Sequence, residues 1–477
     1  MLNYVENILC HFETCFSRKA AFRWFVSITI GLMLRSDKLG VTSIIRDLAL
    51  HPGCYDSMLH FFRASSWSLE GIRKRWFSAV KQHAPLYKEG NLHVLVGDGV
   101  KQSKEGRRMP GVKKLFQESE NSAKPEYIHG HMFGGFGILA GSARNWACIP
   151  LSIRLHDGLQ AAREWQGASV SAASHVVQMV EDAYHAASTF GDSLLLLDRY
   201  FLTVPALEKL KELNDSGSVR MEVVTKAKRS CTAYQKPGPR RPGRRRPPKK
   251  GAAVQLKELF CSHKGQFQEA EMELYGKKEA IRYYCTDLLW GQKLYQELRF
   301  VLVEMDGVQS ILASTSLALD PLSIIRLYSY RFRIECTFCE LKQQVGAFCY
   351  HFWSKYMPKL SYYQKKGEPA PMEQVEGEKP RRKVLEAVRA IEMHMALSCI
   401  AIGILQNLSI YFIGKVNSNQ IRYQRTPSRG RVSEATLMHY FRKHFFRLLG
   451  QKPELCITQI IQGLPETPEE PWDCLAS

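Results

Sequence analysis

The sequence predicts an α/β fold, in which a mixed β-sheet is flanked by helices, and three observations along the chain support this class. The first 88 residues show helical spacing of apolar residues, with Arg and Lys between them. From about residue 91, short apolar strand patterns alternate with helical patterns, which is typical of a mixed sheet. Four strand patterns then follow one another between residues 267 and 315, which predicts a β-rich insertion.

Length and charge limit the classes of function. The chain has 477 residues, which is enough for roughly two to four domains, and its hydrophobic content of 45% indicates a globular protein and excludes a disordered one. It carries 66 Lys and Arg against 46 Asp and Glu, a net charge of +20. This excess predicts a polyanionic partner, with nucleic acid as the first candidate and a membrane surface as the second.

Cysteine usage and the apolar segments favour a cytoplasmic, nucleoid-associated protein. The thirteen cysteines are scattered without regular spacing, unlike a secreted disulfide framework, and the single CxxC motif at Cys336 and Cys339 makes zinc only a minor alternative. The N-terminus lacks the basic region of a signal peptide. Residues 395–413 are nearly long enough to span a bilayer, but Gln406 and Asn407 lie in the middle, which favours a buried core helix.

Changes of pattern divide the predicted fold into five segments. Residues 1–88 predict an N-terminal helical domain, for which DNA binding is the favoured role and a plain helical cap the alternative. Residues 89–226 and 313–420 predict the two parts of the α/β core. Residues 227–312 predict a basic arm followed by the β-rich insertion, and residues 421–477 predict a basic C-terminal tail with one helix.

The basic arm is the stretch KPGPRRPGRRRPPKK, residues 236–250, which contains eight basic residues and five prolines. Prolines keep such a segment extended, and it has no apolar side chains with which to form a core. We expect it to contact DNA phosphates, and a solvated linker is the alternative. The predicted contacts are Arg240, Arg241, Arg244, Arg245 and Arg246.

Two aspartates of the core stand where predicted strands end. The apolar strand in NLHVLVGDGV is predicted to end at Asp98, and the strand in DSLLLLDRYF is predicted to end at Asp198. Side chains at such positions emerge from a core into a site. Since any long protein contains some Asp residues at strand ends, Asp192, Asp157 and Glu105 remain open as alternatives.

A polar stripe lies on a later helix, which is predicted to run from Pro321 to the mid-340s without interruption. Asp320 can cap its N-terminus, and proline is favoured at the first helical position. At about 100° per residue, four polar side chains fall within an arc of about 60°. They are Tyr328, Arg331, Glu335 and Lys342. Glu340 points elsewhere, and a solvated charge stripe is the alternative interpretation.

Three carboxylates that share one pocket would repel each other unless cations separate them. If Asp98, Asp198 and Glu335 meet, two Mg²⁺ or Mn²⁺ ions about 3.5 to 4 Å apart would fit, because oxygen ligands favour these ions over zinc. Such a pair activates a water or a hydroxyl and stabilises the leaving oxygen of a phosphodiester. Arg331 and Lys342 would then hold the phosphates that the ions do not reach.

The spacing Tyr328-x2-Arg331-x3-Glu335-x6-Lys342 resembles the Tyr-Arg-Glu-Lys signature of a group of bacterial insertion-sequence transposases of the DDE class. The blocks VLVGDGV and LLLLDRYF are similar to that group's first and second Asp blocks, and the resemblance spans about residues 91–345. Two positions depart from the group. A Trp commonly follows the signature Arg, and a small residue commonly follows the second Asp and its Arg, whereas this chain has Phe332 and Tyr200.

The resemblance implies a ribonuclease-H-like core and a DNA transposase that acts as a homodimer on double-stranded DNA. Asp98, Asp198 and Glu335 would be the catalytic metal ligands, and the other three signature residues would contact DNA phosphates near the transposon end. Such an enzyme hydrolyses one strand at the element's end, and the freed 3′-OH attacks a target phosphodiester. Two alternatives remain, a catalytically inactive DNA-binding protein derived from a transposase and a ribonuclease-H-like nuclease without strand transfer.

Overall fold

The computed structural model describes residues 1–38, 40–117, 123, 125–142, 145–167, 174–238, 248–361, 363, 367–416 and 432–465. The five arginines predicted as DNA contacts in the basic arm lie outside these residues. They are Arg240, Arg241, Arg244, Arg245 and Arg246.

Helices form most of the first 83 residues and the last part of the described chain, and they alternate with strands between these regions. Their bounds are α1 (Leu2–Cys10), α2 (Lys19–Leu34), α3 (Thr42–Asp47), α4 (Cys54–Phe61), α5 (Leu69–His83), α6 (Gln160–Trp165), α7 (His175–Phe190), α8 (Val204–Ser216), α9 (Leu259–Ser262), α10 (Pro321–Ser329), α11 (Phe332–Gln343), α12 (Glu378–Tyr411), α13 (Glu434–Gly450) and α14 (Cys456–Gln462).

The strands join in one sheet of thirteen strands. Their bounds are β1 (Lys88–Glu89), β2 (Leu92–Ser103), β3 (Lys113–Phe116), β4 (Tyr127–Ala140), β5 (Ala147–Leu155), β6 (Ser193–Leu197), β7 (Met221–Ala227), β8 (Thr232–Tyr234), β9 (Ala253–Gln255), β10 (Gln268–Leu274), β11 (Lys277–Trp290), β12 (Gln296–Met305) and β13 (Val308–Ser314). The predicted α/β class is therefore confirmed, as a large mixed sheet flanked by helices.

Five strands at the centre of the sheet have the order β5-β4-β2-β6-β7. The pairs β4–β5 and β2–β4 are antiparallel, whereas β2–β6 and β6–β7 are parallel. Of these parallel strands, β6 is buried along its whole length, as its apolar run SLLLL predicts. Their carboxyl ends lie at one edge of the sheet, which is where binding sites of such sheets form.

The strands of the insertion extend this same sheet. β13 pairs with β7, and β12 and β11 follow in order, so the hydrogen bonding is continuous from the core into the insertion. The short strands β8 and β9 flank the basic arm and pair with each other at the far end. The pairing of β13 with β7 also places the start of α10 close to the central strands.

Helices cover both faces of the central strands. A Cβ on Gly97 of β2 would lie 3.0 Å from Met179 of α7, and a Cβ on Gly135 of β4 would lie 2.9 Å from Phe338 of α11. Gly135 is paired with Asp98, so these two residues point to the same face of the sheet. Gly97 precedes Asp98 in β2 and therefore points to the other face. It follows that α7 and α11 lie on opposite faces. The two glycines permit both helices to approach the sheet closely.

α12 is the central helix of the core. It is long and apolar enough to cross a membrane, but 89% of its most apolar stretch is buried inside the protein. It packs against β5 and against α2, α5 and α13. The prediction of a buried core helix at residues 395–413 is confirmed, although the helix begins earlier, at Glu378.

Two predicted boundaries are wrong. β2 does not end at Asp98 but continues to Ser103, because its antiparallel pairing with β4 continues to Ser103. The helix predicted from Pro321 to the mid-340s is divided into α10 and α11 at Tyr330 and Arg331. The backbone N–H groups of these two residues bond to carbonyls three positions back, as in a tightened 3₁₀ turn.

Candidate active site

Asp98 and Asp198 lie side by side at the centre of the sheet. β2 and β6 are parallel, and their last paired residues, Val96 and Leu196, lie two positions before Asp98 and Asp198. The charge of Asp198 acts on the pKa of Asp98, so the two carboxyls lie close together. Asp198 directly follows β6, as predicted, whereas Asp98 lies within β2. Two carboxylates from neighbouring strands therefore share one face of the sheet.

Glu335 reaches this face from α11. Phe338, one turn further along the helix, packs over Gly135, which is the residue paired with Asp98. A side chain at Gly135 would clash with this ring, so the glycine lets α11 lie directly on the strand that neighbours Asp98. The hydroxyl of Thr337 donates a hydrogen bond of 2.7 Å to the backbone carbonyl of Cys148 in β5, which fixes the helix against the sheet.

Arg331 joins the two carboxylates that come from different elements. Its Nη1 donates to Asp98 Oδ2 at 3.1 Å, and its Nη2 donates to Glu335 Oε1. The guanidinium is largely buried, with 16% of the side chain exposed, whereas the Glu335 side chain is 42% exposed. The structure thus brings Asp98, Arg331 and Glu335 into one cluster, although 233 positions separate Asp98 from Arg331.

The surroundings of Asp98 raise the pKa of its carboxyl. Burial raises the pKa of this carboxyl, Arg331 and the N–H of Gly99 lower it, and the charges of Asp198 and Glu335 raise it again, to about 6. The Gly99 N–H donates to Asp98 Oδ1 at 2.7 Å. The site holds more negative charge than a single arginine offsets, which is the condition under which a carboxylate cluster binds cations.

Tyr328 lies in the same cluster and Lys342 lies farther away. Burial raises the pKa of the Tyr328 hydroxyl, and the charges of Arg331 and Asp198 also act on it. Lys342 is two turns beyond Glu335, roughly 10 Å along α11, and its Nζ lies 5.6 Å from the ring centre of Phe348.

The two aromatic side chains that depart from the resemblance are both exposed. Tyr200 lies in the 3₁₀ turn that directly follows Asp198, and Phe332 is the first residue of α11. Each exposes about half of its surface. Neither change removes a carboxylate from the cluster.

Tyr275 is a residue of this site that the sequence alone did not reveal. Tyr275 and Gly276 form the two-residue turn between β10 and β11, with φ values of 53° and 81°. Tyr275 exposes 63% of its surface, but partial burial raises the pKa of its hydroxyl, and the charges of Arg331 and Glu335 also act on it. The Gly between two strand patterns is in keeping with a hairpin turn, but nothing in the pattern indicates that the hairpin tip lies near the carboxylates.

The alternative carboxylates have other surroundings. Asp192 precedes β6 and accepts a hydrogen bond of 2.8 Å from the N–H of Arg220, so it lies at the opposite end of that strand from Asp198. Asp157 forms an ion pair of 2.5 Å with Lys113. Glu105 is exposed in the loop after β2. None of these contacts involves the cluster around Asp98.

A second polar network supports the opposite face of the sheet. His156 Nε2 lies 3.0 Å from Asp182 Oδ2, His156 Nδ1 lies 2.8 Å from His175 Nδ1, and Arg154 donates to Asp182 Oδ1 at 2.6 Å. His175 Nε2 would lie 2.8 Å from a Cβ on Gly99, the residue after Asp98. The network therefore holds α7 against the strand segment that carries the first carboxylate.

The donor chemistry of the cluster fits hard divalent cations, because all three candidate ligands are carboxylates and none is a thiol or an imidazole. Asp98, Asp198 and Glu335 could hold such ions. Within the described part of the chain, their ligand oxygens do not all lie within 4.8 Å of one another. The guanidinium of Arg331 contacts two of the three, Asp98 and Glu335.

Comparison with known proteins gives a family. No curated protein and no solved structure matches the chain. A family model described as DDE superfamily endonuclease matches residues 11–278, a range that contains Asp98 and Asp198 and ends before Glu335. Because this match covers more than half of the 477 residues, the chain belongs to the DDE superfamily endonuclease family.

Proposed function

We propose that the protein is a DNA transposase of the insertion-sequence group with the Tyr-Arg-Glu-Lys signature. The observation that carries the proposal is the single cluster in which Arg331 joins Asp98 of β2 to Glu335 of α11, with Asp198 beside Asp98. The family supports DNA as the substrate and divalent metal ions as cofactors. The net charge of +20 is in keeping with a polyanionic substrate.

The strand order supports a ribonuclease-H-like core. Three antiparallel strands are followed by two parallel strands, and the two aspartates come from the adjacent strands β2 and β6. On this proposal, residues 89–226 and 313–420 form the core, residues 227–312 the basic arm and insertion, residues 1–88 a DNA-binding domain, and residues 421–477 a basic tail.

Each residue of the cluster has a proposed role. Asp98, Asp198 and Glu335 hold two Mg²⁺ or Mn²⁺ ions, which would supply activation of the attacking hydroxyl and stabilisation of the leaving oxygen. Arg331, Tyr328 and Lys342 bind DNA phosphates, since a guanidinium matches the geometry of phosphate oxygens and the other two side chains donate hydrogen bonds.

The enzyme, on this proposal, hydrolyses one strand at the end of its element and then transfers the freed 3′-OH to target DNA. The positioned carboxylates and phosphate contacts align the attacking and leaving oxygens, which is most of what a phosphoryl-transfer site must do. We propose further that a homodimer acts on paired ends in the cytoplasm.

The proposal is tested with the element's own ends. The DNA that flanks the gene is read for short inverted repeats bounded by a direct duplication, and a duplex with that end is incubated with the full chain, Mg²⁺ and target plasmid. We expect a strand cut at the repeat boundary and a product in which the cut strand is joined to the plasmid. A duplex with a scrambled repeat is the control.

Other products would contradict the proposal in distinct ways. Cutting without joining would indicate a nuclease. Binding of end DNA without cutting would indicate an inactive protein that has kept its DNA-binding surface. Equal cutting of the scrambled duplex would show that the protein does not recognise the ends of this element.

A further inference from the structure

We propose that Arg331 is a positioning residue that holds Asp98 and Glu335 together in the DNA-free protein and exchanges them for a DNA phosphate. Cation binding and DNA binding would then strengthen each other. This inference rests on the proposed function and names a means by which the same site is regulated. It gives Arg331 a role before DNA arrives, in addition to its contact with phosphate afterwards.

The hydrogen bonds of Asp98 are the first support. Its Oδ2 accepts from Arg331 and its Oδ1 accepts from the N–H of Gly99, so both oxygens already have a donor. Glu335 Oε1 accepts from the same guanidinium. A cation that binds the same oxygens would lie close to the guanidinium of Arg331 and would compete with it for their negative charge.

The charges are the second support. Three ionised carboxylates carry three negative charges, and two divalent cations would add four positive charges beside the one of Arg331. Close positive charges in a partly buried site repel strongly. A phosphate that draws the guanidinium away both removes this repulsion and adds negative charge, so DNA should make the site more receptive to cations.

The position of Arg331 in the chain is the third support. It lies in the turn between α10 and α11 and precedes the first residue of α11. Its guanidinium is therefore carried at a helix junction and can turn between partners without breaking either helix. Carboxylate and phosphate oxygens suit a guanidinium equally well, because both accept its paired N–H donors.

The experiment measures Mn²⁺ affinity of the full chain by the electron paramagnetic resonance signal of free Mn²⁺, without DNA. Arg331→Gln should bind Mn²⁺ roughly tenfold or more tightly than the wild type, because the competing charge-assisted hydrogen bonds are lost. Arg326→Gln is the matched control. Arg326 lies in α10 and donates to Glu89 at 2.7 Å, away from Asp98, so its loss should leave Mn²⁺ affinity unchanged.

A second measurement begins with the wild type alone. A short DNA duplex should tighten Mn²⁺ binding by the wild type, and by linkage Mn²⁺ should tighten DNA binding by the same factor. Arg331→Gln should lose most of this coupling, and Arg331→Lys, which keeps the charge, should recover part of it. Unchanged Mn²⁺ affinity on addition of DNA to the wild type would overturn the inference even if Arg331→Gln fails to fold.

Failure of the inference and failure of the proposed function give different results. If Mn²⁺ binding depends on Glu335 but Arg331→Gln binds Mn²⁺ with equal or weaker affinity, Arg331 only supports the carboxylates and the inference is wrong. If the wild type and Glu335→Gln bind Mn²⁺ alike, with and without DNA, the cluster is not a metal site and the proposed function itself fails.

Discussion

Replacing Asp98 by Asn should stabilise the protein against unfolding in the absence of metal ions. Burial and the charges of Asp198 and Glu335 outweigh the effects of Arg331 and the Gly99 N–H, so that the pKa of Asp98 rises from 3.8 to about 6. A rise of roughly 2 units corresponds to about 3 kcal/mol of unfavourable charge in the folded state. An Asn at this position removes the charge and keeps an oxygen that can accept the hydrogen bond from Gly99.

The effect of Asp98→Asn on the free energy of unfolding depends on pH. A carboxyl whose pKa is raised by folding contributes stability that is fully present below the unfolded value, about 3.9, and is lost as the pH rises through the folded value. The gain from Asp98→Asn in the free energy of unfolding should therefore be near zero at about pH 4 and approach 3 kcal/mol at about pH 8.

The assay is urea unfolding of the full chain in EDTA at these two pH values, followed by tryptophan fluorescence. Asp287→Asn is the control, because Asp287 accepts two hydrogen bonds from Arg299, at 2.9 and 2.8 Å, and the loss of this carboxylate should destabilise the protein at both pH values. A loss of stability in Asp98→Asn at the higher pH, or an equal gain at both, would refute the electrostatic account of the cluster.

Three further predictions concern the rest of the molecule. Burial raises the pKa of Asp182, but His156 and Arg154 together lower it to about 2. Asp182→Asn should therefore lower the free energy of unfolding by about 2 kcal/mol near neutral pH, and it should make the loss of stability at acid pH less steep. Because folding lowers this pKa, the stability is present above the pKa of the unfolded state, about 3.9, and is lost as the pH falls through the pKa of the folded state. A variant that loses stability with falling pH as steeply as the wild type would contradict the prediction. Replacing the arginines of the basic arm by Ser should weaken binding to end DNA and random DNA alike and reduce the slope of log affinity against log salt by several units, at about 0.9 per lost contact; an unchanged slope in a fluorescence-anisotropy titration would favour a plain linker. Mg²⁺ or Mn²⁺ should support strand cleavage and Zn²⁺ should not, and full activity after EDTA treatment without added metal would exclude a metal mechanism.

The periodicity of apolar residues predicted most of the helices and strands but not which strands pair with each other. The strands of the insertion were identified from their residue patterns. The pairing of β13 with β7 joins segments more than 80 positions apart, and the sequence pattern of neither strand predicts it. The predicted end of β2 at Asp98 was wrong because the apolar run ends there, whereas the pairing of β2 with β4 continues to Ser103. Gly97 and Gly99 lie within this strand and permit the close approach of α7.

The spacing within the signature predicted part of the site. Arg331 and Glu335 are four positions apart, so their contact follows from helix geometry alone. The contact of Arg331 with Asp98 depends on how α11 docks over Gly135, which only the tertiary structure determines. The division of the predicted helix at Tyr330 was also not predictable, because no Pro or Gly marks it. The ring of Tyr330 packs against Trp146, and this tertiary contact accompanies the break.

Strand cleavage of end DNA by two matched variants tests the central claim, which is that Glu335 acts with Asp98 and Asp198 as a catalytic metal ligand. Glu335 and Glu340 lie on the same helix, and Glu335→Gln and Glu340→Gln make the same chemical change. With Mg²⁺ present, Glu335→Gln should lose cleavage while it still binds the DNA, and Glu340→Gln should cleave at nearly the wild-type rate. Equal loss in both variants, or normal cleavage by Glu335→Gln, would contradict the account.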